Sequence, residues 1–202
     1  MAAFTPLGVP PLVSSYPGID LLGQNCRIGS SVSVFRTINH FPEAQISLGD
    51  DVMLFDGVRL LLGEADCKLI IGDRVIINVN GYISGEGGLE IGDDVLIGPH
   101  VRILSAGHQI HGGDSVVARN AITYAKIIID RGAWIAAGVT ILEGVHIGAG
   151  AVVGAGSVVT HNIPPMAVAI GNPARVLHFR DQSKKQRGIL ARLGQFFQRN
   201  DH

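Results

Sequence analysis

The chain has 202 residues, of which 47% are hydrophobic and 16% charged, with a formal net charge of -1 at neutral pH. That is ample apolar material for one packed domain, and the balanced charge leaves no electrostatic footprint for nucleic acid. Cys26 and Cys67 lie far apart, outside any C-x-x-C or Cys/His pattern; they are expected as buried free thiols of a protein in a reducing, cytoplasmic compartment, not as a zinc or redox pair.

Residues 1–25 carry Pro6, Pro10, Pro11 and Pro17 and lack a basic start. The prolines exclude a continuous helix and break the apolar core that a secretory signal needs, so an extended arm is expected. Over residues 26–177 a period of six takes over. Hexapeptides open without a break at Ile129, Ile135, Ile141, Ile147, Val153 and Val159. The same register stands upstream at Ile71, Ile77 and Ile83, at Ile91, Ile97 and Ile103, and more faintly at Leu48, Leu54 and Leu60.

Neither a helix nor an ordinary strand holds a period of six. A parallel β-helix does: each short flat strand is followed by a turn, and every third unit stacks on its predecessor. The opening branched residue is expected on the axis of a triangular prism. Four positions on, a small or β-branched residue such as Val75, Val95, Val139 or Ser157 leaves room at the next corner. Gly72, Gly92, Gly98, Gly148 and Gly154 directly follow opening residues, where crowding or positive φ penalises a Cβ. The stretch from Gly144 to Ala174 holds no Asp, Glu, Lys or Arg, but its glycines, prolines and six-residue period exclude a membrane-spanning helix.

Between Ile103 and Ile129 the register fails across SAGHQIHGGDSVVARNAITYAK. A loop over about 106–127 is expected to leave the prism here; a second parse hides a partial coil inside it. Long loops on rigid scaffolds carry function disproportionately, and this one opens with His108, His111 and Asp114 among glycines. After residue 178, Ile189, Leu193, Phe196 and Phe197 recur at helical spacing among lysines and arginines. A basic amphipathic helix over 178–202 is expected to pack on the protein's own oligomer, with peripheral membrane contact through 182–199 as the alternative.

Three segments carry a family resemblance: IGDDVLIGPHVRILSAGHQIH, AWIAAGVTILEGVHIGAGAVVGAGSVVTHNIP and AVAIGNPARVL. From about Leu69 to Leu177 the chain resembles the hexapeptide-repeat acetyltransferases, in the branch of galactoside, maltose and nodulation-sugar O-acetyltransferases and xenobiotic acetyltransferases. The resemblance implies an all-β, left-handed parallel β-helix, an exception to right-handed crossovers, assembled as a homotrimer. It implies acetyl-CoA as co-substrate, with no tightly bound cofactor and no metal, and transfer to a saccharide hydroxyl. The base would be His108, since an imidazole can take a hydroxyl proton at neutral pH without a covalent intermediate. The backbone amide of Ala137 would hold the oxyanion. Asn78, Glu86 and Trp134 would face the acyl group and acceptor. Ala137, Ala155, Thr160, His161 and Arg175 would line acetyl-CoA, with His161 standing where the family has a lysine. His100, His111 and His146 are read as surface groups.

The N-terminus departs from the maltose-type pattern, which begins with a helix, so the arrangement looks more like acetyltransferases of surface polysaccharides or activated sugars. N-acetylation of an amino sugar or xenobiotic is the alternative. A γ-type carbonic anhydrase would need three histidines at a zinc, and a non-catalytic scaffold would need no site at all.

Overall fold

A computed structural model describes residues 9–36, 44–63 and 67–180. Three parallel sheets wrap one axis. The first face holds β1 (Leu21–Leu22), β4 (Gln45–Leu48), β7 (Lys68–Ile71), β10 (Leu89–Ile91), β15 (Ile127–Ile129) and β18 (His146–Ile147). The second holds β2 (Arg27–Ile28), β5 (Met53–Leu54), β8 (Ile76–Ile77), β11 (Leu96–Ile97), β16 (Trp134–Ile135), β19 (Val152–Val153) and β21 (Ala167–Gly171), with β22 (Ala174–Phe179) antiparallel at its end. The third holds β3 (Ser33–Arg36), β6 (Arg59–Leu62), β9 (Tyr82–Ser84), β12 (Arg102–Ile103), β17 (Thr140–Ile141) and β20 (Val158–Val159). The remaining pair, β13 (Ala106–His108) and β14 (Ile122–Tyr124), forms an antiparallel arm outside the prism.

The expected axis is present. Ile71, Ile91, Ile129 and Ile147 are at most 2% exposed and stack in register on the first face. Ile77, Ile97, Ile135 and Val153 do the same on the second, and Ile83, Ile103, Ile141 and Val159 on the third, all at 0%. Adjacent coils satisfy each other's backbone groups, as in Gly98 N–H to Ile135 O at 2.8 Å. Crowding, and not positive φ, accounts for the glycines after the axis residues: a Cβ on Gly148 would stand 2.4 Å from the Pro165 nitrogen. Positive φ falls two residues later, on Gly150 (φ 64) and upstream on Asn80 and His100 (both φ 58).

The coil is uniform only toward the C-terminal end. Ile135 pairs with Val153 eighteen residues on, whereas Ile77 pairs with Ile97 at twenty and Ile46 with Leu69 at twenty-three. The upstream register reads more faintly because its turns carry extra residues. At the loop, Ile97 pairs with Ile135 thirty-eight residues on, so the excursion adds twenty residues to one eighteen-residue coil. No partial coil is hidden in it. The segment expected to be irregular contains β13, β14 and a 3-10 turn at Val117–Arg119, and Ile127 already belongs to the prism.

Both ends of the prism extend beyond the expected bounds. Leu21–Leu22 lie within the proposed arm but pair with β4. Before them the chain lies extended along the first coil: Leu12 bridges Arg27, and Val13 N–H donates to Cys26 O at 3.0 Å. His178 and Phe179, expected to begin a helix, are extended in β22. The helix over 182–199 and residues 1–8 of the arm lie outside the described residues. Cys26 and Cys67 are buried and outside any disulfide, and burial pushes the Cys26 thiol pKa up. No described helix is long and apolar enough to cross a membrane.

Ile147→Asp is expected to abolish soluble expression, since it places an unpaired carboxylate on the closed axis between Ile129 and Ile163. Gln109→Ala and Ser115→Ala, in the exposed arm, should leave the melting temperature within about 2 °C of wild type. Thermal melts of the purified variants check this; a wild-type melt for Ile147→Asp would contradict the register.

Candidate functional site

The arm bearing His108 leaves the prism at the edge where the third face turns into the first. Its two legs meet at the root, where Ala125 N–H donates to Ser105 O at 3.1 Å. Ser105 is fully buried, and its hydroxyl donates to Ser84 O at 2.9 Å and accepts from Gly87 N–H at 3.0 Å. The root is thereby tied to the Ser84–Gly88 turn of the preceding coil, which carries Glu86. The Ser84 hydroxyl donates to Glu86 Oε2 at 2.9 Å. His108 and Glu86 therefore share one edge.

Two side chains absent from the sequence reading shape the arm. Glu143, one coil further on, accepts from Thr123 Oγ1 at 3.0 Å through both carboxylate oxygens, fastening the returning leg. A Cβ on Gly107 would meet the same two oxygens at 3.1 Å, so the residue before His108 is held against this carboxylate. Asn120 clamps the far end: Nδ2 donates to Gln109 O at 2.9 Å and Oδ1 accepts from Asp114 N–H at 2.7 Å. Asp114 in turn accepts from Val116 N–H at 2.8 Å, and that bond holds its carboxyl below the usual range. His108 itself is exposed, and its ring makes no hydrogen bond among the described residues.

The other expected residues divide between edges. Thr160 and His161 follow β20 on the same edge as the arm root, with Thr160 Oγ1 2.8 Å from His161 Nδ1. Asn78, Ala137 and Ala155 lie on the edge between the second and third faces, which continues to Ile170, the register partner of Arg175. Asn78 N–H donates to Ile97 O at 2.9 Å, and its Oδ1 accepts from Val79 N–H at 2.8 Å. Its amide nitrogen is thus left pointing away from that turn contact. The Ala137 N–H has no partner among the described residues, as an oxyanion donor requires.

Trp134 is 48% exposed on the second face between Leu96 and Val152, away from the arm root of its own prism. One prism brings His108, Glu86, Thr160 and His161 to one edge and Asn78, Ala137, Ala155 and Arg175 to the other, with the third face between them. His100, His111 and His146 are exposed, and His146 Nε2 lies 2.9 Å from Asp130 Oδ2. Among the described residues no group of three His, Cys, Asp or Glu side chains is placed to hold a metal ion.

Residues 126–161 match the bacterial transferase hexapeptide (six repeats) family. The chain has the left-handed parallel β-helix fold, with the hexapeptide repeat matched over those residues. It is 41% identical over 108 residues to the galactoside O-acetyltransferase of Escherichia coli K12, covering 53% of this chain and 52% of that one. It thus spans about half the length of this curated relative. Among solved structures, a variant of the N-acyltransferase AntD from Bacillus cereus, in complex with dTDP-4-amino-4,6-dideoxyglucose and coenzyme A, superposes with a TM-score of 0.68 at 23% identity, covering 91% of this hexapeptide-repeat chain and 92% of that one. PerB from Caulobacter crescentus, in complex with CoA and GDP-perosamine, gives a TM-score of 0.52 at 24% identity over 76% and 57% of the two chains.

Asn120→Ala is expected to speed amide hydrogen exchange across residues 109–116 by at least about tenfold, because the arm loses the clamp joining its two legs. The prism should melt within about 2 °C of wild type. Unchanged exchange in the arm would show that Asn120 does not order it.

Proposed function

We propose that this hexapeptide-repeat protein transfers an acetyl group from acetyl-CoA to a hydroxyl of a saccharide unit, with His108 as general base. One observation carries this reading: an imidazole with no hydrogen-bond partner among the described residues is held at a prism edge on a braced arm. The 41% identity to a galactoside O-acetyltransferase supports it. In the proposed reaction His108 takes the proton of the acceptor hydroxyl as its oxygen attacks the thioester carbonyl. The Ala137 amide receives the developing oxyanion. Collapse expels the CoA thiolate, and the imidazolium returns the proton to sulfur. Asn78 and Glu86 orient the acceptor, and Ala155, Thr160, His161 and Arg175 line the acetyl-CoA groove. Solvent surrounds His108 in a single chain, so a neighbour is required to close the site.

His108→Ala should lower turnover by roughly 10² to 10⁴ in a thiol-release assay with acetyl-CoA, while acetyl-CoA still raises the melting temperature. The acceptor panel should hold neutral sugars, nucleotide sugars and amino sugars. Transfer to an amine alone would replace O- with N-acetylation, and retention of more than a third of the turnover would remove His108 as the base.

The second proposal is assembly. With half-sites on two edges of each prism, a cyclic homotrimer joins the His108 edge of one copy to the Asn78 edge of the next by a heterologous contact that closes on itself. Trp134 and Leu96, at 48% and 41% exposure on the second face beside the Asn78 edge, supply apolar area for such a contact. Light scattering is expected to give three times the 21.3 kDa chain mass; an active monomer would contradict the shared site.

A further inference from the structure

The third face carries a polar cleft of about 490 Å³ that the proposed reaction does not use. Arg59, Tyr82 and Arg102 lie on one outward ladder across three successive coils, with Arg59 opposite Tyr82 and Tyr82 opposite Arg102. The two arginines therefore start about 10 Å apart, two strand spacings, with a phenol between them. Asn80 and His100 close the cleft along the Asn78 edge.

Neither arginine of this cleft meets a carboxylate among the described residues. Arg36, Arg74 and Arg119 each meet a carboxylate. Arg59 makes no ion pair among the described residues, and Arg102 donates only to Thr140 Oγ1, at 3.1 Å. Nearby carboxylates are engaged elsewhere: Asp56 accepts from the Ser31 amide and hydroxyl at 3.2 and 3.0 Å, and Glu86 accepts from Ser84. Burial, then Glu86, raise the Tyr82 phenol above its ordinary pKa while Arg59 opposes them, so the phenol stays protonated and able to donate. Two guanidinium groups without a carboxylate partner, flanking a hydroxyl donor, form a receptor for a multiply charged oxyanion, for which planar bidentate donors suit phosphate.

We infer that the cleft binds the phosphoryl groups of the acceptor, which is a phosphorylated saccharide of the nucleoside diphosphate sugar class. Arg59 and Arg102 hold the phosphates, Tyr82 donates between them, and the sugar extends to Asn78 on the adjoining edge. The inference rests on the saccharide acetyl-transfer reading, but binding tests it without that reaction.

Calorimetric titration of the full-length protein, without acetyl-CoA, compares a nucleoside diphosphate hexose, a hexose 1-phosphate and the free hexose at low and moderate salt. The phosphorylated ligands are expected to bind more tightly than free hexose and to weaken with added salt. Arg59→Gln and Arg102→Gln should each lose at least about tenfold in affinity, and the double variant should lose measurable binding. Both side chains are exposed, so melts of the unliganded variants within about 2 °C of wild type report that folding is intact.

Tighter binding of the nucleotide-linked sugar upholds the proposal as stated, and equal binding of hexose 1-phosphate upholds the phosphate but assigns it to the simpler ligand. Failure of both phosphorylated ligands to bind, or unchanged binding by the double variant, overturns it and points to the arginines pairing with carboxylates of a neighbouring copy. The two readings fail separately. Arginine-dependent binding by a protein that releases no thiol from acetyl-CoA removes the transfer reaction, while turnover of neutral sugars without arginine dependence removes only the cleft.

Discussion

The structure depends on continuous columns of branched side chains along one axis. Each column repeats at the strand spacing of about 4.8 Å, and each buried Ile or Val contributes roughly 1.5 to 3 kcal/mol relative to exposure. Because every column is shared by all coils, a residue inserted within a strand would shift the columns on every later coil. Extra chain can therefore be accommodated only at the edges. The two additional residues of the Ile77 to Ile97 coil and the twenty of the arm both follow this rule. Ala125 returns to hydrogen-bond Ser105, and Ile127–Ile129 resumes the first face in register with Leu89–Ile91.

That constraint also arranges the chemistry. A flat face two to four residues wide offers little concavity, so reactive groups gather at edges, where turns expose amides and side chains point outward. The arm raises His108 beyond one edge and is braced by Glu143 and Asn120. The opposite edge of the third face presents Asn78 and the Ala137 amide. In the proposed enzyme, neither edge makes a pocket alone. A second copy supplies the missing wall, excludes water from the thioester and sets the base against the acceptor. Proximity of this kind contributes to rate only when both edges are rigid, which the stacked axis secures without a helix behind the site.

The fold was legible because its signal is periodic. Ile129 to Val159 repeats every six residues, and nothing but a stacked coil rewards that spacing. The prism's extent was less legible. Leu22 opens one more unit of the period, continued at Ile28 and Val34 and paired with Leu48, Leu54 and Leu60, whereas β22 carries no hexapeptide and is recruited by antiparallel pairing with β21. His108 stood out through its flanking motif. Glu143 and Asn120 did not, since the hydrogen bonds they make cross the arm at spacings without a period. The cleft of Arg59, Tyr82 and Arg102 was invisible for a related reason: the residues become neighbours only once the unequal coil offsets are known. The left hand of the helix came from family resemblance, because the six-residue spacing is the same for either hand.

The central claim is that a working site takes His108 from one copy and Asn78 from the next. Mixing unfolded His108→Ala and Asn78→Ala chains in equal amounts and refolding them together tests it most directly. Each variant alone should be nearly inactive, whereas random trimers place an intact His108 against an intact Asn78 at about one site in four, so roughly a quarter of wild-type acetyl transfer should return. Refolded mixtures that stay as inactive as the separate variants would contradict the shared site.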